Sequence, residues 1–170
     1  MKIVRIITDG ACVGNPGPGG WACLLRCGNY KRELFGSARR TTNNRMELAA
    51  AIEGFRALRE PCEVELTTDS QYLKNGITKW IRAWKHNQWK TAGKQPVKNQ
   101  ELWQALEQAA APHRVSWVWV RGHSSHADNL HADELAVRAA AEQTFSKGWR
   151  PAVESPKYDL VLQRASRQRR

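Results

Sequence analysis

Short apolar runs alternate with amphipathic stretches along the chain. The first run, Lys2 to Ile7, is rich in isoleucine and is followed by Thr8-Asp9-Gly10, a pattern that predicts a strand buried on both faces. Residues 10–20, with five glycines and two prolines, predict a loop. Strands over residues 21–27 and 30–37 are joined by Gly28-Asn29, a favoured hairpin turn. The sheet is therefore predicted to begin as an antiparallel meander.

The rest of the chain predicts helices that alternate with two more strands. Apolar residues from Leu48 to Phe55 recur at helical spacing after a Thr- and Asn-rich start at residues 41–44, which predicts a helix ending near Leu58. The elements that follow are a strand over 63–68, a helix from Gln71, a helix over 99–111, a strand over 114–120 and a helix over about 127–143. This order predicts an α/β domain.

Residues 79–98, which we call the handle, differ in composition from the rest of the chain. They hold six basic residues and three tryptophans but no acidic residue. Interleaved cations and aromatic rings suit a groove that holds backbone phosphates while sugars or bases pack on the rings. The alternative is an amphipathic helix whose tryptophans belong to the core. Both interpretations can hold together, with Trp80 and Trp84 serving both roles.

The charge and the cysteines narrow the class of protein. Lys and Arg number 27 against 16 acidic residues, which leaves a net charge of +11 in 170 residues. This balance favours a polyanionic partner, most simply nucleic acid, although ribosomal and membrane-surface proteins share it. The four cysteines form no C-x-x-C pair, so reduced thiols are expected. Without a signal-like or membrane-spanning apolar run, a soluble cytoplasmic protein that does not act at membranes is expected.

Four acidic residues stand where strands end or on predicted helices. Asp9 and Asp69 follow strands, Glu47 lies in an early helical turn, and Asp133 lies on the last helix. Clustered carboxylates repel one another and would protonate or separate unless divalent cations neutralised them. Oxygen ligands favour Mg²⁺ or Mn²⁺, and two such ions can activate a water and stabilise the leaving oxygen of a phosphodiester. Any single acid could instead be a cap or a solvated charge, and for Asp133, beside Glu134, that interpretation has equal weight.

Five motifs in this order resemble bacterial type 1 ribonuclease H. They are Asp9-Gly10 with residues 14–20 (GNPGPGG), residues 42–48 (TNNRMEL), Thr68-Asp69-Ser70, Gly122-His123, and residues 132–136 (ADELA). The resemblance covers residues 1–148, including the handle. It implies a five-stranded mixed sheet, an antiparallel meander of three strands extended by parallel strands, with helices on both faces. It also implies an endonuclease that cleaves the RNA strand of RNA/DNA hybrids, leaving 5′-phosphate and 3′-hydroxyl ends, with two Mg²⁺ ions that Mn²⁺ can replace.

The resemblance assigns roles to individual residues. The metal-binding catalytic carboxylates would be Asp9, Glu47, Asp69 and Asp133, and His123 would aid proton transfer and product release. The RNA strand would be contacted by Cys12, Asn15, Asn43, Asn44 and Gln71. The DNA strand would be contacted by Arg40, Thr42 and Asn99 at a phosphate pocket, and by Trp80 and Trp84 along a channel. The alternatives are a loop histidine without a role for His123 and helix capping alone for the two asparagines.

Other classes of protein fit less well. A catalytically inactive hybrid-binding protein would gain from replacing the four acids with neutral groups. Integrases and exonucleases that use similar acids lack the Asn43-Asn44 and handle motifs, and we expect no polymerase portion of the kind that accompanies a reverse transcriptase's ribonuclease domain. Residues 149–170 form a basic tail for which the resemblance offers no counterpart. The tail is either a flexible solubilising end or an extra hybrid-binding arm. Nothing in the sequence demands more than a monomer.

Overall fold

A single five-stranded sheet organises the protein. The computed structural model describes residues 1–121 and 126–146, so His123 and the tail lie outside the described residues. The strands are β1 (Lys2–Cys12), β2 (Gly17–Cys27), β3 (Tyr30–Thr41), β4 (Cys62–Thr68) and β5 (Arg114–Trp119). They lie in the order β3-β2-β1-β4-β5, with β1, β2 and β3 antiparallel and β1, β4 and β5 parallel. The mixed sheet and the Gly28-Asn29 hairpin are confirmed.

Helices cover both faces of this sheet. They are α1 (Asn43–Arg56), α2 (Gln71–Asn75), a π-helical segment (Gly76–Trp80), α3 (Ile81–His86), α4 (Gln100–Ala110) and α5 (Ala127–Glu142). On β1, Ile6 belongs to the core beneath α1 and α4, whereas Ile7 belongs to a smaller core beneath α5. The prediction of burial on both faces therefore holds for residues 6–9. It is wrong near the N-terminus, where Ile3 is 65% exposed.

The glycine-rich segment is mostly strand. Residues 10–12 continue β1 and residues 17–20 begin β2, so only residues 13–16 connect them. The prediction of a loop over residues 10–20 is wrong at both ends. A Cβ at Gly20 would overlap the carbonyl oxygen of Ala136 and lie 2.5 Å from the amide nitrogen of Ala140. The glycine is there because α5 packs directly on the backbone of the sheet.

Side-chain caps fix two of the helix starts. The Thr42 hydroxyl accepts a hydrogen bond from the Arg45 amide at 3.2 Å, and the Ser70 hydroxyl accepts one from the Leu73 amide at 3.1 Å. Such caps satisfy amide groups that have no partner within the helix. The predicted helix start at residues 41–44 begins one residue too early, because Thr41 is the last residue of β3 and Thr42 is the N-cap of α1.

The handle packs its tryptophans inward and leaves its cations in water. The ring centroid of Trp84 lies 5.8 Å from that of Trp80, 6.2 Å from that of Trp89 and 5.4 Å from that of the fully buried Trp103. These three handle tryptophans are half-buried, and all six basic residues of the segment are exposed. The packing of the rings confirms that these tryptophans support the core, whereas the phosphate-binding groove stays a prediction with which the exposed charges are compatible.

All four cysteines are free thiols. In the ranges that the structure describes, no helix combines the length and the apolar composition needed to cross a bilayer.

Candidate metal centre and substrate surface

Three acidic side chains meet at one edge of the sheet. Because β1 and β4 are parallel neighbours, with Ile7 opposite Thr67, Asp9 and Asp69 emerge side by side two residues later. Glu47 reaches the same point from the beginning of α1. One carboxylate oxygen from each acid lies within 4.8 Å of the others. The predicted clustering of these three carboxylates is confirmed.

Gly10 allows α1 to approach this edge. A Cβ at that position would lie 2.7 Å from the amide nitrogen of Glu47, closer than real Cβ contacts come. The Gly10 amide also donates a hydrogen bond to Asp9 Oδ1 at 2.9 Å. This residue therefore sets the separation of Asp9 from Glu47 and holds one of the two carboxylates in place.

Burial and mutual repulsion keep protons on this cluster. Burial, reinforced by the charge of Asp69, raises the pKa of Asp9 to about 7. Burial, followed by the charges of Asp9 and Asp69, raises the pKa of Glu47 well above its ordinary value. Both shifts favour the neutral acid. A divalent cation would reverse them, because it favours the charged form of each ligand.

The donor set fits a hard divalent cation. Glu47 Oε2 is buried and has no hydrogen-bond partner among the described residues. A buried carboxylate oxygen in that state is unfavourable unless a proton or a cation occupies it. Three carboxylates within mutual reach supply only oxygen donors, which Mg²⁺ and Mn²⁺ prefer.

Asp133 lies at the margin of this cluster. Its helix, α5, covers the opposite face of the sheet from α1, and its side chain is exposed. Asp133 is nevertheless close enough to Asp9 to contribute to the raised pKa of that acid, after burial and the charge of Asp69. The four predicted acids therefore come together, three of them tightly and Asp133 from the other layer of the fold.

Trp119 supports the backbone at Asp69. It lies opposite Thr68 at the end of β5, and its indole N–H donates to the Asp69 carbonyl oxygen at 3.2 Å. The Lys74 ammonium lies 4.5 Å from the centroid of the Trp119 ring. Sequence reasoning missed this residue. The available signal was the position of Trp119 at the end of β5. This strand runs parallel to β4, and Asp69 directly follows β4.

The residues predicted to contact RNA lie around the ends of the same elements. The Asn43 amide donates to Asn15 Oδ1 at 3.2 Å, and the Cys12 thiol lies 3.4 Å from the Thr41 carbonyl oxygen. Asn44 and Gln71 are exposed in the first turns of α1 and α2. Asn15 thus supports the start of α1. The exposed amides leave a polar surface along that edge.

Two of the three residues predicted to grip a DNA phosphate, Thr42 and Asn99, are linked through Arg45. Its backbone amide donates to the Thr42 hydroxyl, and its Nη1 donates to Asn99 Oδ1 at 3.1 Å and to Glu101 Oε1 at 2.5 Å. Arg40 is exposed near the end of β3. Sequence reasoning missed Arg45, which is nearly fully buried. Its place inside a motif read as a helix start gave no sign of the contact with Asn99.

Comparison with known proteins gives one consistent family. A model of the family described as RNase H matches residues 1–141. The curated Ribonuclease H of Hydrogenovibrio crunogenus is 61% identical over 144 residues, which span 85% of this chain and 99% of that protein. The solved structure of LC9-RNase H1, a type 1 RNase H with the type 2 active-site motif, is 39% identical and superposes with a TM-score of 0.78, covering 85% of this chain and 75% of that one.

A further relative bears on the tail. The curated Ribonuclease H of Mesorhizobium japonicum is 57% identical over 162 residues, which span 95% of this chain and 90% of that protein. A match of that length cannot fit within residues 1–148. The expectation that the tail has no counterpart is therefore wrong for part of it.

Proposed function

The chain belongs to the RNase H family, and from this we propose that it is an endoribonuclease that hydrolyses the RNA strand of RNA/DNA hybrids. The observation that carries the proposal is the buried cluster of Asp9, Glu47 and Asp69, because family membership alone would also fit an inactive binder. A protein that only bound hybrids would gain nothing from three repelling acids whose oxygens lie within 4.8 Å of one another.

Divalent cations, two of them by the family resemblance, would supply the chemistry by activating a water and stabilising the leaving oxygen, which gives 5′-phosphate and 3′-hydroxyl products. The residues that would hold them are the three clustered acids together with Asp133. Asp9 and Asp69 are fixed by neighbouring strands, which suits ligands whose spacing must not change. Mg²⁺ is the expected ion, with Mn²⁺ as a substitute.

Substrate recognition is assigned to the surrounding polar surface. Cys12, Asn15, Asn43, Asn44 and Gln71 would meet the RNA strand, where amide groups can bond to the 2′-hydroxyls that distinguish RNA from DNA. On the DNA side, a phosphate would lie at Arg40, Thr42 and Asn99, and the strand would pass along Trp80 and Trp84. The half-buried rings and exposed cations of the handle support this assignment.

Several expectations remain predictions. His123, which lies outside the described residues, is proposed to aid proton transfer and product release. The chain is proposed to act as a cytoplasmic monomer, with residues 1–148 as its catalytic domain.

The test is a cleavage assay on a labelled RNA/DNA hybrid with Mg²⁺, Mn²⁺ or a chelator, beside RNA/RNA and DNA/DNA duplexes. We expect metal-dependent cutting of the RNA strand of the hybrid alone, with 5′-phosphate ends identified by phosphatase sensitivity. Metal-independent cutting, or equal cutting of RNA/RNA, would contradict the proposal. Tight hybrid binding without any cutting would favour the inactive hybrid-binding alternative instead.

A further inference from the structure

The hydroxyl of Tyr72 lies at a junction between the predicted phosphate pocket and the handle. Asn99 Nδ2 and Trp103 Nε1 both lie 3.1 Å from it. The Tyr72 ring lies 5.8 Å from the Trp80 ring and 5.3 Å from the Trp103 ring, centroid to centroid. Tyr72 itself is half-buried, so one side of it reaches the surface.

The direction of each hydrogen bond at this junction follows from what each group can do. Arg45 can only donate, so the Asn99 atom that faces it at 3.1 Å must be the amide oxygen. The amide nitrogen of Asn99 therefore faces Tyr72 and donates to it. The indole N–H of Trp103 is also only a donor. The Tyr72 oxygen thus accepts two hydrogen bonds, and its own proton points elsewhere.

This arrangement places two unused donors side by side. Among the described residues, neither the Tyr72 proton nor the second N–H of the Asn99 amide has an acceptor. Asn99 is more than nine-tenths buried and is held in one orientation by Arg45. Two adjacent, oriented donors beside a segment without acidic residues suit an anionic oxygen.

We propose that the Tyr72 hydroxyl donates a hydrogen bond to a phosphate oxygen of the DNA strand, next to the Asn99 amide. The inference rests on the proposed function, since it extends the phosphate pocket by one substrate-binding residue. Within this arrangement, Arg45 is a positioning residue that orients Asn99, and Tyr72 joins the pocket to the tryptophans of the handle.

The test combines a substitution in the protein with a modification of the substrate. Tyr72→Phe removes only the hydroxyl, and hybrids carrying one neutral methylphosphonate in the DNA strand, moved position by position, remove one phosphate charge at a time. For the unchanged protein we expect KM to rise about tenfold at one position, as for loss of a hydrogen bond to a charged group. For Tyr72→Phe we expect KM for the natural hybrid to rise about tenfold and kcat to stay within twofold. The position-specific penalty should fall about threefold without vanishing, because Arg40, Thr42 and Asn99 still face the same phosphate.

Three controls separate contact from structure. Tyr30→Phe changes an exposed tyrosine on the Gly28-Asn29 hairpin and should match the unchanged protein. Trp103→Phe removes one donor to the Tyr72 hydroxyl and should lower stability while keeping the full penalty at the sensitive position. Methylphosphonates in the RNA strand should show no dependence on Tyr72.

Several outcomes would overturn the proposal. One is a Tyr72→Phe protein that retains the full penalty at every DNA position. Another is a Tyr72→Phe change that has no effect in an Asn99→Ala background, because Tyr72 would then act only by positioning Asn99. If Tyr72→Phe does not fold, the ¹⁹F signal of 3-fluorotyrosine at position 72 decides, and an equal shift with natural and neutral hybrids counts against the contact. Failure of the unchanged protein to cut any hybrid would refute the proposed function instead.

Discussion

At the scale of single residues, the burial of Asp9 has two opposed effects on its ability to bind a cation. Its place within β1, between the neighbouring strands β2 and β4, fixes its position, and its burial raises its pKa from 3.8 to about 7. The neutral acid is a poor ligand, so cation binding and proton loss at this site must be linked.

This linkage predicts how stability depends on pH. Because the pKa of Asp9 is higher in the folded protein than in the unfolded chain, its contribution is complete below about pH 4 and is lost as the pH rises towards 7. In a chelator we expect the free energy of unfolding to fall by up to about 4 kcal/mol over that window. Urea unfolding at pH 4 to 8 measures it, and Mg²⁺ should restore stability at pH 8 but not at pH 4. A flat profile would contradict the raised pKa.

Replacing Asp9 separates ligation from binding. Asp9→Asn removes an ionisable ligand while keeping its size, so we expect cleavage to drop at least about a thousandfold, hybrid affinity to stay within a few-fold and the pH dependence above to flatten. Single-turnover cleavage and fluorescence anisotropy measure the two effects. Asp128→Asn is the matched control. That acid forms an ion pair with Arg26, with 2.6 Å between Oδ1 and Nη2, and it does not belong to the cluster. Retained cleavage by Asp9→Asn would remove Asp9 from the site.

Trp119 offers a second residue-level prediction. Trp119→Phe deletes the N–H that holds the Asp69 carbonyl oxygen at 3.2 Å. We expect the Mg²⁺ concentration for half-maximal activity to rise about tenfold, with KM for the hybrid little changed, because loss of a group that supports a ligand weakens metal binding. Trp117→Phe, at a ring that packs edge-on against Phe55, should lower stability without moving the Mg²⁺ dependence. Equal behaviour of the two variants would argue against support of Asp69.

The sequence indicated the acids but not the residues that hold them. A carboxylate after a buried strand is unusual on its own, which is why the pattern of the chain is enough to pick out Asp9 and Asp69. Trp119 and Tyr72 have side chains that suit a core equally well, and an arginine in a helix start, such as Arg45, is ordinarily a solvated charge. Their roles depend on one neighbour far away in the chain, and spacing along the chain does not show that neighbour.

At the scale of elements, the contact between α5 and β2 determines where Asp133 lies. The backbone of the helix rests on Gly20 with no side chain between them. We expect Gly20→Ala to lower the free energy of unfolding by about 2–3 kcal/mol, as for an overpacked core, and to reduce kcat because the displaced helix carries Asp133. Thermal unfolding and cleavage assays measure both. Gly93→Ala, where the nearest atom to a new Cβ is 3.9 Å away, should be neutral, and a neutral Gly20→Ala would contradict the tight contact.

Element types followed from the sequence more reliably than element ends. The hairpin at Gly28-Asn29 and the helix start at Gln71 depend on local chemistry, and the structure has them where they were predicted. The strands within residues 10–20 were missed because glycine clusters normally mark turns. Here Gly20 serves a packing contact with a helix more than a hundred residues later, and local pattern carries no trace of it.

At the scale of the whole molecule, the net charge of +11 raises the question of where hybrid affinity resides. If the tail is a binding arm, removing residues 151–170, with five basic and two acidic side chains, should weaken hybrid binding and flatten its dependence on salt. Anisotropy titrations at several salt concentrations measure the slope. Neutralising Lys90 and Lys94 of the handle is the comparison, and an unchanged affinity and slope after truncation would leave the tail as a solubilising end.

The spread of the ligands along the chain has a consequence for biosynthesis. Asp9, Glu47 and Asp69 lie in the first half of the chain, but Asp133 arrives on α5, and the sheet receives its last strand, β5, only shortly before. A nascent chain on the ribosome therefore carries most of the acids long before it can place them at fixed spacing. If Asp133 is a ligand as proposed, nuclease activity is withheld until synthesis of the domain is almost finished, because a fragment that lacks α5 also lacks one of the four acids.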